Sequence, residues 1–178
     1  MYISEIVTTS PEEDRNSTET KLYSILDELS IPFERIDNDV VETMEECKEI
    51  DEKLGTEIRK TLFLCNRKKT NLYLIVLPAD KQLDIKAMSA KLELPKLSFA
   101  SAELMEKYLC AKPGSASVMG LINDTENSVE LIIDKEVADA EWFGCNPGTN
   151  ISHLKIKTSD LIEKILPHIN HNPRIEEI

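Results

Sequence analysis

The sequence predicts a single α/β domain in which a mixed, largely antiparallel sheet is packed by helices. Two β-rich apolar runs, "KTLFLC" and "LYLIVL", flank the short polar "NRKKTN", which is a hairpin signal. Several other stretches carry apolar residues at helical spacing between capping and breaking residues. The length, 178 residues with no repeat and no low-complexity linker, suits one domain with a sizeable core.

The elements follow in order. Residues 1–16 are polar and read as a loose tail, with the domain proper over 17–178. "TETKLYSILDELS" places Leu22, Ile25, Leu26 and Leu29 on one helical face, with Ser17 or Thr18 as cap and Ile31-Pro32 as stop. "FERID" reads as a short strand, and "TMEECKEIDEKLG" as a helix capped by Thr43 and ended by Gly55. After the hairpin come two helices, "DIKAMSAKLEL" closed by Pro95 and "SAELMEKYLC" capped by Ser101. "VMGLIN" and "VELIID" read as strands around the turn "DTENS". "ISHLKI" reads as the last strand, and "TSDLIEKILPHI" as a terminal helix capped by Thr158 or Ser159.

Composition narrows the function classes. With 33 acidic against 21 basic residues the net charge is −12, which argues against a nonspecific duplex-DNA surface but leaves room for a pocket that takes one nucleic-acid end. No apolar run is long enough to span a bilayer, and the amino terminus has neither a basic nor an apolar leader region; the expectation is a cytoplasmic protein without membrane contact. The cysteines, Cys47, Cys65, Cys110 and Cys145, form no CxxC pair and are expected as free thiols, and neither a metal nor a cofactor is expected. P-loop, GxGxxG and GxSxG patterns are absent.

Three segments could carry chemistry. Lys60 opens an apolar strand, where it either snorkels to solvent or presents a cation at a pocket mouth. "PGSASVMG" is either a turn or a backbone cradle whose N–H groups stabilise an oxyanion. "CNPGTN" offers Asn146 and Asn150 as neutral donors and acceptors, with turn duty as the plainer reading. A thiol mechanism at Cys145 would need a base such as His153, eight residues on, and nothing local signals that pairing. His168 and His171 share a helical face without a further metal ligand, and "NRKKT" reads as a solvated basic turn.

Taken together and in this order, "YSILDELSIPFERID", "KTLFLCNRKKTNLYLIVLPADKQLDIKAMSAKL", "LSFASAELMEKYLCAKPGSASVMGLIND" and "NPGTNISHLKI" resemble the prolyl-tRNA editing family. That family comprises free-standing ProX and YbaK-like deacylases and the editing domain of some bacterial prolyl-tRNA synthetases. The resemblance covers nearly the whole chain and is closest to the free-standing branch. It implies an α/β fold and hydrolysis in trans of alanine misattached to proline tRNA. The implied partners are the aminoacylated tRNA acceptor end and, by association, prolyl-tRNA synthetase.

It also implies roles. Lys60 anchors the acceptor end near the terminal adenosine. Gly114 opens the family's GxxxP loop, whose backbone lines the aminoacyl pocket through Ser115, Ala116, Ser117, Val118 and Gly120. Asn146 and Asn150 belong to the His-Pro-x-x-Asn motif that shapes the same pocket, and Thr61 follows the lysine. Without a triad or metal, such hydrolysis needs a positioned water and an oxyanion hole, with the ribose hydroxyl assisting proton transfer. Three positions depart from the pattern: Val118 stands for the proline, Asn146 for the histidine and Thr61 for the asparagine after the lysine. Retention of Lys60 favours an active enzyme. The altered pocket favours the alternative, a weak or inactive protein of the same fold that binds a tRNA end or an amino acid.

Overall fold

The computed structural model describes residues 1–178 as two sheets and their covering helices. The larger sheet contains β2 (Lys60–Asn66), β3 (Leu72–Leu77), β4 (Leu97–Phe99), β5 (Val129–Asp134) and β8 (Arg174–Glu176), in the order β4-β2-β3-β5-β8. The expected hairpin is present, with Lys60 opposite Leu77 and Cys65 opposite Leu72. β4 also pairs antiparallel with β2, whereas β5 and β8 run parallel to their neighbours. Every residue of β3 is buried, which suits its unbroken apolar run at the sheet centre.

The smaller sheet, antiparallel throughout, orders β1 (Glu34–Asp37), β7 (Ser152–Lys157) and β6 (Trp142–Cys145). The main core gathers one face of each sheet with α1 (Ser17–Glu28), α4 (Ala102–Leu109) and the C-terminal helical segment. α3 (Ile85–Lys91) covers the other face of the larger sheet, and α2 (Lys48–Leu54) covers the smaller one. A short α5 (Lys135–Asp139) follows β5.

The two sheets join just ahead of Lys60. Ile58 bridges Gly144, and the Arg59 N–H donates to the Gly144 carbonyl at 2.9 Å. A Cβ at Gly144 would lie 2.6 Å from the Glu57 carbonyl oxygen, so only glycine permits this approach.

Several local expectations are corrected. The first residues are no loose tail: Ile3 and Val7 bridge to Asn38 and Arg35 beside β1, and Arg15 donates to both carboxylate oxygens of Asp37. Asn16, not Ser17 or Thr18, caps α1 through its side-chain oxygen. Helix α2 begins only at Lys48. Before it, Thr43 Oγ1 accepts from the Glu46 N–H while the Glu46 carboxylate accepts from the N–H groups of Glu42 and Thr43, closing a separate turn.

"VMGLIN" is a 3₁₀ helix, Val118–Asn123, capped by Ser117. A fully buried apolar run has no periodicity with which to tell a strand from a helix. The C-terminal helix has no side-chain cap and passes through a π-helical stretch, Leu161–Ile165, just before Pro167, whose ring and missing N–H disturb the ordinary ladder. Strands β4, β6 and β8, of three or four residues each, were not expected.

Candidate active site

A cleft of about 500 Å³ opens where β2 begins. Its walls come from the segment 41–44, from Arg59 to Phe63, from Phe99 and Ala100, from the 113–116 loop and from the 146–150 loop. Six of the sequence-derived residues meet there: Lys60, Thr61, Gly114, Ala116, Asn146 and Asn150. The other four do not reach the wall. Ser115 folds its own loop, its hydroxyl donating to the Lys112 carbonyl at 2.8 Å. Ser117 is buried and donates to the Asn146 carbonyl at 2.7 Å, tying the two loops together. Val118 lies in the main core. A Cβ at Gly120 would stand 3.0 Å from Leu109 Cβ, so this glycine serves helix packing.

Lys60 sits at the first pair of the hairpin, and its Nζ donates to the Lys81 carbonyl at 2.6 Å. An ammonium has three donors, so two remain. No carboxylate pairs with it, whereas the neighbouring cation, Arg59, is held by Glu57 at 2.5 Å and by the Trp142 carbonyl at 3.1 Å. Lys60 is therefore the cation of the cleft left free to meet an anion or a strong acceptor.

The 113–116 loop supplies donors of another kind. Gly114 takes φ +89°, with nothing within 4 Å of where a Cβ would stand. The N–H of Ser115 closes on Lys112, but those of Gly114 and Ala116 have no partner in the protein. Two unpaired main-chain donors on a cleft wall are what an oxyanion hole requires.

Opposite lies the Asn146 loop. Asn146 Oδ1 accepts from the Gly148 N–H at 2.9 Å, which builds the turn and leaves its Nδ2 as a donor. Asn150 is held by its main chain, its carbonyl accepting from the Val41 N–H and from Asn38 Nδ2, and its side-chain amide has no protein partner. Turn and pocket duties coexist in this loop.

Burial disfavours the thiolate form of both cysteines near the site. Cys145 is buried and off the cleft wall, and burial pushes its thiol up to about 12. It pairs directly with Leu154, so its side chain shares that residue's face of the sheet, and His153 lies on the opposite face. Cys47 does line the cleft, but burial followed by the charges of Asp51 and Glu46 raises its thiol to about 11. No group of three or more His, Cys, Asp or Glu side chains gathers anywhere to hold a metal, and no helix is long and apolar enough to cross a membrane.

His153, which the sequence raised only as a base for Cys145, belongs to the site on its own account. It lines the cleft, is 2% exposed, and accordingly has its pKa lowered by burial to about 4. The only available signal was alternation: in "ISHLKI" it falls on the strand face away from Leu154 and Ile156, three residues after Asn150.

Residues 39–164 match the family described as the aminoacyl-tRNA editing domain. The chain is 36% identical over 141 residues to the prolyl-tRNA editing protein ProX of Acetoanaerobium sticklandii, covering 79% of this chain and 85% of that one. It is 29% identical over 157 residues to prolyl-tRNA synthetase associated domain-containing protein 1 of Danio rerio, covering 87% and 84%. Among solved structures, a protein provisionally named a trans-editing enzyme for prolyl tRNA synthetase superposes with a TM-score of 0.67 at 14% identity, over 92% of this chain and 98% of that one. That last likeness is one of fold.

Proposed function

Because the chain belongs to the aminoacyl-tRNA editing domain family, we propose that it is a trans-acting deacylase that hydrolyses the ester of alanine misattached to proline tRNA. The observation that carries this reading is the meeting, in one cleft, of unpaired Lys60 with the partnerless N–H groups of Gly114 and Ala116. In this reading the ammonium holds the terminal adenosine through a phosphate or ribose oxygen. The two N–H groups receive the carbonyl oxygen as it gains charge, each such donor being worth about 3–4 kcal/mol in the transition state. Free alanine would be lost in about 500 Å³, but a cavity of this size suits a ligand that includes a nucleoside.

Asn146 and Asn150 bound the aminoacyl side with neutral amides, where the family pattern has an ionisable histidine at the first position. Association with prolyl-tRNA synthetase would bring the enzyme to freshly charged tRNA. The test is deacylation of proline tRNA charged with alanine, proline or cysteine. The expected result is preferential loss of alanine. A protein that binds the charged acceptor end but releases no amino acid would be the inactive binding module instead.

A further inference from the structure

His153 lies beyond the roles assigned above, and its surroundings fix which nitrogen carries the proton. Nδ1 stands 2.9 Å from Asn38 Oδ1. The orientation of that amide is set on its other side, where Nδ2 donates to the carbonyls of Asp39 at 2.7 Å and Asn150 at 3.2 Å. Carbonyls only accept, so Oδ1 must face the imidazole, and Nδ1 must be the protonated nitrogen. Nε2 then holds a bare lone pair. It has no protein partner and is not among the fully occluded polar atoms, although the residue is 2% exposed and lines the cleft. The fold thus leaves one unpartnered acceptor on a buried residue of the cleft wall.

We propose that His153 Nε2 holds the attacking water and takes its proton during ester hydrolysis. This rests on the deacylase reading. The water oxygen bonds to the ester carbonyl carbon as Nε2 accepts one water proton. The resulting oxyanion collapses, the bond from carbon to the ribose oxygen breaks, and that oxygen takes the proton back from Nε2. Free amino acid and an unesterified tRNA end result, with no co-reactant but water. A histidine on β7 thereby supplies what Asn146, the residue at the motif's histidine position, lacks. The other ionisable groups on the cleft are Glu42, Cys47, Arg59 and Lys60. Burial is the single cause of the imidazole's lowered proton affinity, so it is neutral, and able to accept, throughout the physiological range.

The experiment is single-turnover hydrolysis of alanyl proline tRNA by the full chain and by His153→Phe and His153→Ala. General-base loss is worth about 10²–10⁴-fold. The rate constant should fall at least 100-fold in both variants, with the half-saturating enzyme concentration within threefold, and added imidazole should restore part of the rate to His153→Ala. Long-range proton–nitrogen NMR on the unaltered protein should find the Nδ1–H form, and this arm holds even if both variants misfold. A folded variant within threefold of the parent rate, or an Nε2–H tautomer, overturns the inference and leaves the deacylase reading standing. A parent protein that releases no amino acid from any charged tRNA defeats both.

Discussion

Asn146 does two things at once, since its Oδ1 closes the turn onto Gly148 while its Nδ2 remains to meet a ligand. Replacing it with histidine alters pocket width and adds an ionisable ring, with the main-chain path kept by Pro147 and Gly148. One methylene of fit in such a pocket is worth about 1–3 kcal/mol, or about 10–200-fold. Asn146→His should therefore change the ratio of alanine to cysteine release from charged tRNA without abolishing hydrolysis; a ratio within about twofold, below ~0.5 kcal/mol, would reduce Asn146 to a turn residue. His153 makes a separate prediction about stability. Its folded pKa, about 4, lies below its ordinary 6.5. As pH falls from 6.5 towards 4 the unfolded chain takes up a proton that the folded chain refuses, so stability is lost across that window, by about 3 kcal/mol at about 1.4 kcal/mol per unit. Asp51 acts oppositely. Burial raises its carboxyl from 3.8 to about 6, and protonation between those values returns stability. Denaturant unfolding of the parent and His153→Phe at pH 7 and pH 5 separates the two, and the variant should lose the destabilising acid-side slope.

At the level of elements, the site depends on where the two sheets join and where the two loops touch. Gly144→Ala places a methyl group 2.6 Å from the Glu57 carbonyl oxygen. Relief requires moving the strand that leads into Lys60. Overpacking of this kind costs about 1–3 kcal/mol, read as a fall in Tm of about 2–4 °C per kcal/mol, and deacylation should fall with it because Lys60 is displaced. An unchanged Tm would show that the junction is slack. Much of this was legible in the sequence. The hairpin is visible because two β-rich runs bracket a polar turn, and Lys60, Thr61, Gly114, Ala116, Asn146 and Asn150 sit in short recognisable phrases. The 3₁₀ helix at Val118–Asn123 was not legible, because continuous burial erases periodicity. Nor was the place of His153 on the cleft wall, or its tautomer, which is set by Asn38, 115 residues away, through the pairing of β1 with β7.

Over the whole molecule, a net charge of −12 frames how the ligand is approached. Long-range attraction of a polyanion is disfavoured, and the cleft contributes a lone free ammonium. Binding of charged tRNA should therefore weaken only gently with salt. At about 0.7 per phosphate neutralised on a single strand, contact with one to three phosphates gives a log–log slope of about −0.7 to −2. A much steeper slope would mean an extended phosphate track rather than a terminal pocket. Within that frame the central claim is chemical, that the free Lys60 ammonium and the Gly114 and Ala116 N–H groups form an aminoacyl-ester site. The most direct measurement is single-turnover release of alanine from alanyl proline tRNA by the parent protein and by Lys60→Ala, with circular dichroism confirming that both are folded. Losing one charge-assisted contact removes about 1.5–3 kcal/mol, so the account predicts hydrolysis well above the spontaneous rate by the parent and at least a tenfold fall in the variant. Equal rates in two folded proteins, or no release by the parent, would contradict it.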